Sequence, residues 1–187
     1  MCMELFVISN QSKEKINEVI SAFEASPYLS MGLLPNRVPN RVRRLFPGKQ
    51  IVNICTEEGC ACRFSTSKSP EKLEREREKK RRLQKLSPEE WEELKRETRE
   101  LYEHSVRRMN ALRQFCWALS DEGIRPVELY GLWIDDPVHK NGAIRMEWDQ
   151  LFNDRTFDIK EEHYIVTSNE ETVQTSEPFR ERGGTGS

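Results

Sequence analysis

Ser87-Pro88-Glu89-Glu90 opens the most restrictive stretch of the sequence. Ser87 suits a helix cap, Pro88 the first helical position, and Glu90 the return bond of a capping box. Leu86 and Trp91 fall where a hydrophobic staple places its two residues. The first stop signals after this start are Gly123 and Pro126, so the pattern predicts a helix to about Asp121. Its apolar stripe is Trp91, Leu94, Thr98, Leu101, Ser105, Met109, Leu112, Cys116 and Leu119. At about 1.5 Å per residue the helix is about 50 Å long. A compact chain of 187 residues has a radius of gyration of about 16 Å. One end of the helix must therefore project. Residues 101–119 are expected to cover a sheet, and the first half to pair with residues 70–86.

Residues 70–86 (PEKLEREREKKRRLQKL) are almost all charge, with Leu73, Leu83 and Leu86 the apolar members. Glu71–Arg75, Glu76–Lys80 and Glu78–Arg82 stand at i, i+4, each pair contributing about 0.2–0.5 kcal/mol to a helix. Residues 70–104 thus read as a charged helical hairpin, an arm better suited to a protein partner than to catalysis. The run Lys79-Lys80-Arg81-Arg82 reads as a solvated helix face, because Glu is interleaved and aromatics are absent nearby.

The densest chemistry lies in residues 51–64, IVNICTEEGCACRF, with three of the five cysteines. Ile51 to Cys55 is β-branched and apolar, as strands are. Thr56-Glu57-Glu58-Gly59 reads as a hairpin loop, with Gly59 at the position that takes a positive φ. Cys60 to Phe64 is the expected return strand. Cys55 and Cys60 would then face each other across the ladder, with Cys62 on the face of Cys60. Three readings follow. The thiols pack as small apolar groups. They bind zinc, with Cys55, Cys60 and Cys62 as ligands, Cys2 as the preferred fourth and Cys116 as the reserve. Or Cys55 and Cys60 form a bridge that opens and closes.

Cys2 has a second reading. After methionine removal it would be N-terminal, with its own α-amino group as base. The Met-Cys start resembles that of class II glutamine amidotransferases and bile-salt hydrolases, although the glycine that follows the cysteine in the amidotransferases is Met3 here. A cysteine-dependent enzyme using Cys2 or Cys60 is therefore one alternative function.

Arg37, Arg41, Arg43, Arg44 and Lys49 lie in a stretch without acidic residues between Ala25 and Thr56. This basic loop is the candidate anion site, for phosphate or RNA, against the plainer reading of a solvated loop. The net charge of −2 argues against bulk attraction to nucleic acid or anionic membrane. The first residues lack a basic segment ahead of a long apolar run, and no stretch is apolar enough to span a bilayer. A reducing cytoplasm with free or metal-bound thiols is the expected setting.

Met3 to Ser9 reads as a central strand, apolar on both faces. Ile16, Val19, Ile20 and Phe23 give a helix its apolar face. Val127 to Ile134 is a further strand. Ile144 to Asp149 reads as a short strand or helical turn, and residues 157–159 and 163–167 as closing strand pieces. Asp135, Asp136 and Glu128 read as a turn and strand rather than a cation site. His104, His139 and His163 are scattered in the sequence. Residues 168–187 are a polar tail, expected to be disordered.

Cys2, the Gly59-Cys60-Ala61-Cys62 motif and Glu128-Leu129-Tyr130 with Trp133 together resemble a family of short uncharacterised bacterial proteins. Those proteins begin Met-Cys, carry G-C-x-C after a strand, and have a similar Tyr/Trp strand later. The likeness covers the first and last thirds of the globular part, with residues 70–104 as an insertion. It implies that Cys2 lies near the 59–62 turn, and it implies no activity.

The sequence thus predicts one α+β domain over residues 1–167: a small mixed or antiparallel sheet covered by a long helix, with a projecting charged helical arm. The expected function is a non-enzymatic cytosolic binding or accessory protein with a cysteine cluster that holds zinc. A partner protein would bind the arm.

Overall fold

The described residues build a six-stranded sheet with helices on both faces. A computed structural model describes residues 3–23, 26–32, 38–64, 70–84, 86–134, 142–151 and 163–167. The strands are β1 (Met3–Ser9), β2 (Ser30–Gly32), β3 (Gln50–Cys55), β4 (Val127–Trp133), β5 (Ile144–Glu147) and β6 (His163–Thr167). The helices are α1 (Lys13–Phe23), α2 (Asn40–Leu45), α3 (Pro70–Gln84), α4 (Pro88–Asp121) and the short α5 (Trp148–Leu151).

The strand order is β2-β3-β1-β4-β6-β5. All neighbours are antiparallel except β5 and β6, so the sheet is mixed. β1 lies inside the sheet, pairing Leu5 with Ile54 on one side and with Gly131 on the other. Its alternate residues feed two cores. Leu5 and Val7 join Val52, Ile54 and Leu129 beneath Ile16, Val19 and Ile20 of α1 and Leu112, Phe115 and Leu119 of α4. Phe6 and Ile8 join Tyr130 and Leu132 on the reverse face, where Val42 of α2, Val38 and Phe46 cover them. A strand apolar on both faces is stable only where both are covered, and here both are.

α4 starts as its sequence demands. The Ser87 hydroxyl accepts the Glu90 N–H, and the Glu90 carboxylate accepts the Ser87 N–H. The helix then packs twice. Trp91 and Thr98 are buried in its first half, where α3 lies alongside. Arg77 of α3 donates to the Leu94 carbonyl at 3.0 Å and to the Thr98 hydroxyl, and Arg99 donates to Glu74 at 3.0 Å. Met109 to Leu119 covers the sheet, with the Phe115 ring edge-on to Phe23 at 5.6 Å. Leu101, expected on the buried stripe, is 52 % exposed. It falls between the α3 seam and the sheet seam, so the docked segment begins nearer Arg108 than Leu101.

Two further corrections concern local structure. Residues 30–32, for which the sequence predicts no strand, add the short edge strand β2, held to β3 by the Ser30–Cys55 to Gly32–Asn53 register. Cys60 to Phe64 does not return as a strand. Ala61–Phe64 is a 3-10 turn, because Ala61 and Phe64 both enter the core. With about three residues per turn, positions i and i+3 stack on one side, whereas a strand would send them to opposite faces. Residues 144–151 use both of the expected conformations, β5 followed by α5. Residues 157–159 and the tail from 168 lie outside the described residues.

These two seams predict a sharp contrast in mutant stability. Phe115→Ala should destabilise the fold by about 3–5 kcal/mol. Leu101→Ala should change stability by less than about 0.5 kcal/mol. Denaturant unfolding of both variants checks this; equal losses would refute the placement of the docked segment.

Candidate functional site

The link between β3 and the 3-10 turn is fixed from its buried side. Thr56 is fully buried, and its hydroxyl donates to the Cys60 carbonyl at 2.9 Å. The Thr56 N–H donates to the same carbonyl at 3.3 Å, and the Gly59 N–H donates to the Thr56 carbonyl at 2.8 Å. Gly59 has φ of 78°, a conformation that a side chain would strain.

From the helix side, Arg108 clamps the same link. It is only 5 % exposed. Its Nε donates to both Glu57 oxygens, at 2.9 and 3.1 Å, and its Nη2 donates to Glu58 at 2.7 Å. A planar guanidinium matched to carboxylates in this way gives a charge-assisted, geometrically specific contact. Partial burial works to raise the Glu57 carboxyl, but the Arg108 hydrogen bonds, a bond from its own backbone N–H and the nearby Arg108 and His104 charges together outweigh it and hold it below the usual carboxylate range. Hydrogen bonding to Glu57 raises Arg108 in turn, so the pair stays ionised.

This clamped link presents the thiols. Cys60 and Cys62 are joined as a disulfide, with Cα atoms 5.5 Å apart. The expected free or metal-bound pair is therefore bonded within itself. Both residues are half-buried, and Cys62 packs against the core. The Cys62 N–H donates to Cys60 Sγ at 3.3 Å, and the same sulfur lies 3.9 Å from the Met3 carbonyl oxygen.

Cys55 is not part of this pair. Its thiol is buried and donates to the Ser30 carbonyl of β2 at 3.5 Å. Cys55 and Cys60 thus reach toward strands on opposite sides of β3. The expected face of three thiols is corrected: without a return strand, nothing sets Cys60 across from Cys55. Cys116 is fully buried on the sheet-facing side of α4, and burial pushes its thiol far above the ordinary value. Among the described residues no group of three or more His, Cys, Asp or Glu is placed to hold a metal ion. Cys2, the preferred fourth zinc ligand, lies outside the described residues; Met3 is its chain neighbour.

The basic loop divides. Arg41 donates to the Ile134 carbonyl and stands near Glu4, whose carboxyl is raised by burial while the Arg41 charge pulls it down. Arg44 is exposed on α2. Arg43 and Lys49 line a pocket together with Lys13 of α1. Arg37, Asp135, Asp136 and His139 lie outside the described residues. His163 faces Glu128 at 3.2 Å, and Lys49 donates to the other oxygen of Glu128 at 2.6 Å.

Sequence reasoning missed Arg108 and Lys13. Arg108 carried a usable signal: it lies next to Met109 and four residues before Leu112, hence on the core side of the helix. An arginine at such a position needs a carboxylate, and Glu57-Glu58 lies in the thiol-bearing link.

Comparison with protein-family models, curated proteins and solved structures finds no match for this chain.

Two outcomes are expected. Arg108→Ala should cost about 1–3 kcal/mol, since it removes charge-assisted hydrogen bonds and the packing of a buried side chain. The Glu57 contribution, resting on a lowered carboxyl, should be complete above the ordinary glutamate value of about 4.3 and fade as pH falls through the lowered folded value. Thermal melts of wild type and Arg108→Ala from neutral to acid pH should therefore converge; a gap that widens in acid would contradict the clamp. Second, in the chemically reduced native protein, Cys60 and Cys62 should alkylate before Cys55 and Cys116, as read by peptide mass mapping.

Proposed function

We propose that this protein is a binding or accessory protein whose chemistry is reversible thiol–disulfide exchange at Cys60 and Cys62. The observation that carries the reading is a half-buried C-x-C bridge in a link already held by other forces. A structural staple is the competing account. Loop entropy weighs against it: closing three residues gives about 1.6 kcal/mol in the chain-entropy relation, against about 3 kcal/mol for a 15-residue loop. Thr56, Ala61, Phe64 and the Arg108 clamp secure the same segment without it.

An external thiolate attacks one sulfur of the bridge and forms a mixed disulfide, and the other sulfur leaves as thiolate. A second external thiol resolves the mixed disulfide. Two electrons and two protons pass from the external dithiol to the chain, which becomes the Cys60–Cys62 dithiol. The Cys62 N–H already points at the Cys60 sulfur. A bridge in a reducing cytoplasm, the compartment we propose, belongs to the transient redox class rather than the structural one.

Zinc is the second reading. Reduction would free two thiols with Cα atoms 5.5 Å apart, and Cys2 directly precedes Met3, whose carbonyl faces Cys60 Sγ. Partner recognition through the α3–α4 arm is part of the same proposal: its outer surface is charged, and its length exceeds what the sheet covers. No helix among the described residues is long and apolar enough to cross a membrane.

The test is a native thiol count by mass, before and after a dithiol reductant and again after reoxidation. Two added thiols that disappear on reoxidation, with unchanged circular dichroism, are expected. Cys62→Ser should trap Cys60 as a mixed disulfide with added glutathione. A bridge that yields only in denaturant would leave the staple account standing. Uptake of about one zinc per reduced chain, lost in Cys60→Ser, would replace exchange with metal binding.

A further inference from the structure

At the far end of β3 from the thiols, Lys13, Arg43 and Lys49 line a pocket of about 280 Å³ whose apolar walls include Val38, Phe46 and Ile51. Three cations come from three separate places in the chain: the first turn of α1, the last turn of α2, and the residue before β3. None of the described residues that line it is acidic. We propose that this pocket binds a compact phosphate ester, with the phosphate among the three cations and the organic part against Val38, Phe46 and Ile51.

Preorganisation is the first argument. Arg43 is anchored by its Nε, which donates to the Val38 carbonyl at 3.2 Å. Lys49 is anchored by Glu128 at 2.6 Å, and Glu128 is itself held on its other oxygen by His163. Two long side chains thus reach the pocket with part of their freedom already removed, which lowers the entropy lost on binding. Charge is the second argument. Three cations and, among the described residues, no carboxylate line the pocket, with Glu128 engaging Lys49 from beside it. A phosphate monoester carries about −1.5 to −2 at neutral pH, opposite in sign to that lining.

Shape and surface select the ester over its competitors. Phe46 is buried, with its ring edge-on to Tyr130 at 5.4 Å and to His163 at 5.2 Å, so the apolar wall is rigid. Inorganic phosphate leaves that wall wet. The volume sits just below the roughly 300–1,000 Å³ of typical small-molecule sites, which suits a fragment-sized ligand. A nucleic-acid strand needs an extended basic track, and Arg41 is turned away to the Ile134 carbonyl instead.

Calorimetric titration of the full chain with phenyl phosphate tests the proposal. Saturable one-to-one binding is expected, with a dissociation constant of roughly 1 mM or tighter. It should weaken with added salt. Lys13→Ala with Arg43→Ala should weaken binding at least about tenfold, or 1.4 kcal/mol, with the melting temperature checked in parallel. Lys13→Arg should retain binding, and Arg44→Ala, outside the pocket, should leave it unchanged. Absence of saturation at roughly 10 mM, a range weaker than −4.1 kcal/mol, would overturn the site, as would equal binding by the double variant. Equal affinity for inorganic phosphate would overturn the ester assignment. Tighter binding of a single-stranded RNA oligonucleotide would overturn the small-ligand assignment. The Cys60→Ser, Cys62→Ser protein should bind phenyl phosphate normally, so failure of the thiol proposal leaves this result readable.

Discussion

β1 is buried on both faces, and that constraint arranges everything else. A strand that reads apolar at nearly every position cannot lie over water on one side. The chain therefore had to supply two covers. One is large: α1 and the sheet-docked end of α4 over Leu5, Val7, Ile54 and Leu129. The other is small: α2 with Val38 and Phe46 over Phe6, Ile8, Tyr130 and Leu132. Each cover carries a chemical feature at its margin. The thiol link sits under the large cover, gripped by α4 through Arg108. The basic pocket sits beside the small one, around Phe46.

The Arg108 clamp shows how a surface loop gains a defined shape at little cost in buried charge. Glu57 and Glu58 remain partly in water, while the guanidinium is nearly enclosed. The carboxylates therefore keep much of their hydration, and the arginine finds the acceptors its burial requires. A fully enclosed pair would pay more desolvation for the same geometry. The result is a rigid link that still leaves Cys60 and Cys62 half-buried rather than sealed.

Much of the fold was legible because its signals were local. Ser87, Pro88 and Glu90 announce the start of α4 within four residues, and apolar runs announce β1, β3, β4 and β6. β2 was invisible, since three residues Ser-Met-Gly carry no alternation to read and depend on β3 for their pairing. The turn at Ala61–Phe64 was misread as a strand because short apolar runs fit either period; only the shared core contact of Ala61 and Phe64 decides. The candidate site was legible in kind but not in geometry. Cys60 and Cys62 stood out as residue types, whereas their partner in space depended on that turn. Arg108 and Lys13 were missed because charged residues on helices read as solvent-facing until the tertiary neighbours are known.

The two edges of the sheet differ from its centre in one further respect. β2 has three residues and β5 has four, against seven in β1 and in β4. An edge strand leaves a row of backbone donors and acceptors unpaired, a template on which another chain can add. Among the described residues each edge strand is too brief to seat a second strand of ordinary length. The most adhesive backbone in the molecule, the long apolar β1, is enclosed between partners on both sides. The topology thus gives a highly charged, thiol-bearing protein a built-in resistance to edge-to-edge aggregation while it is folded.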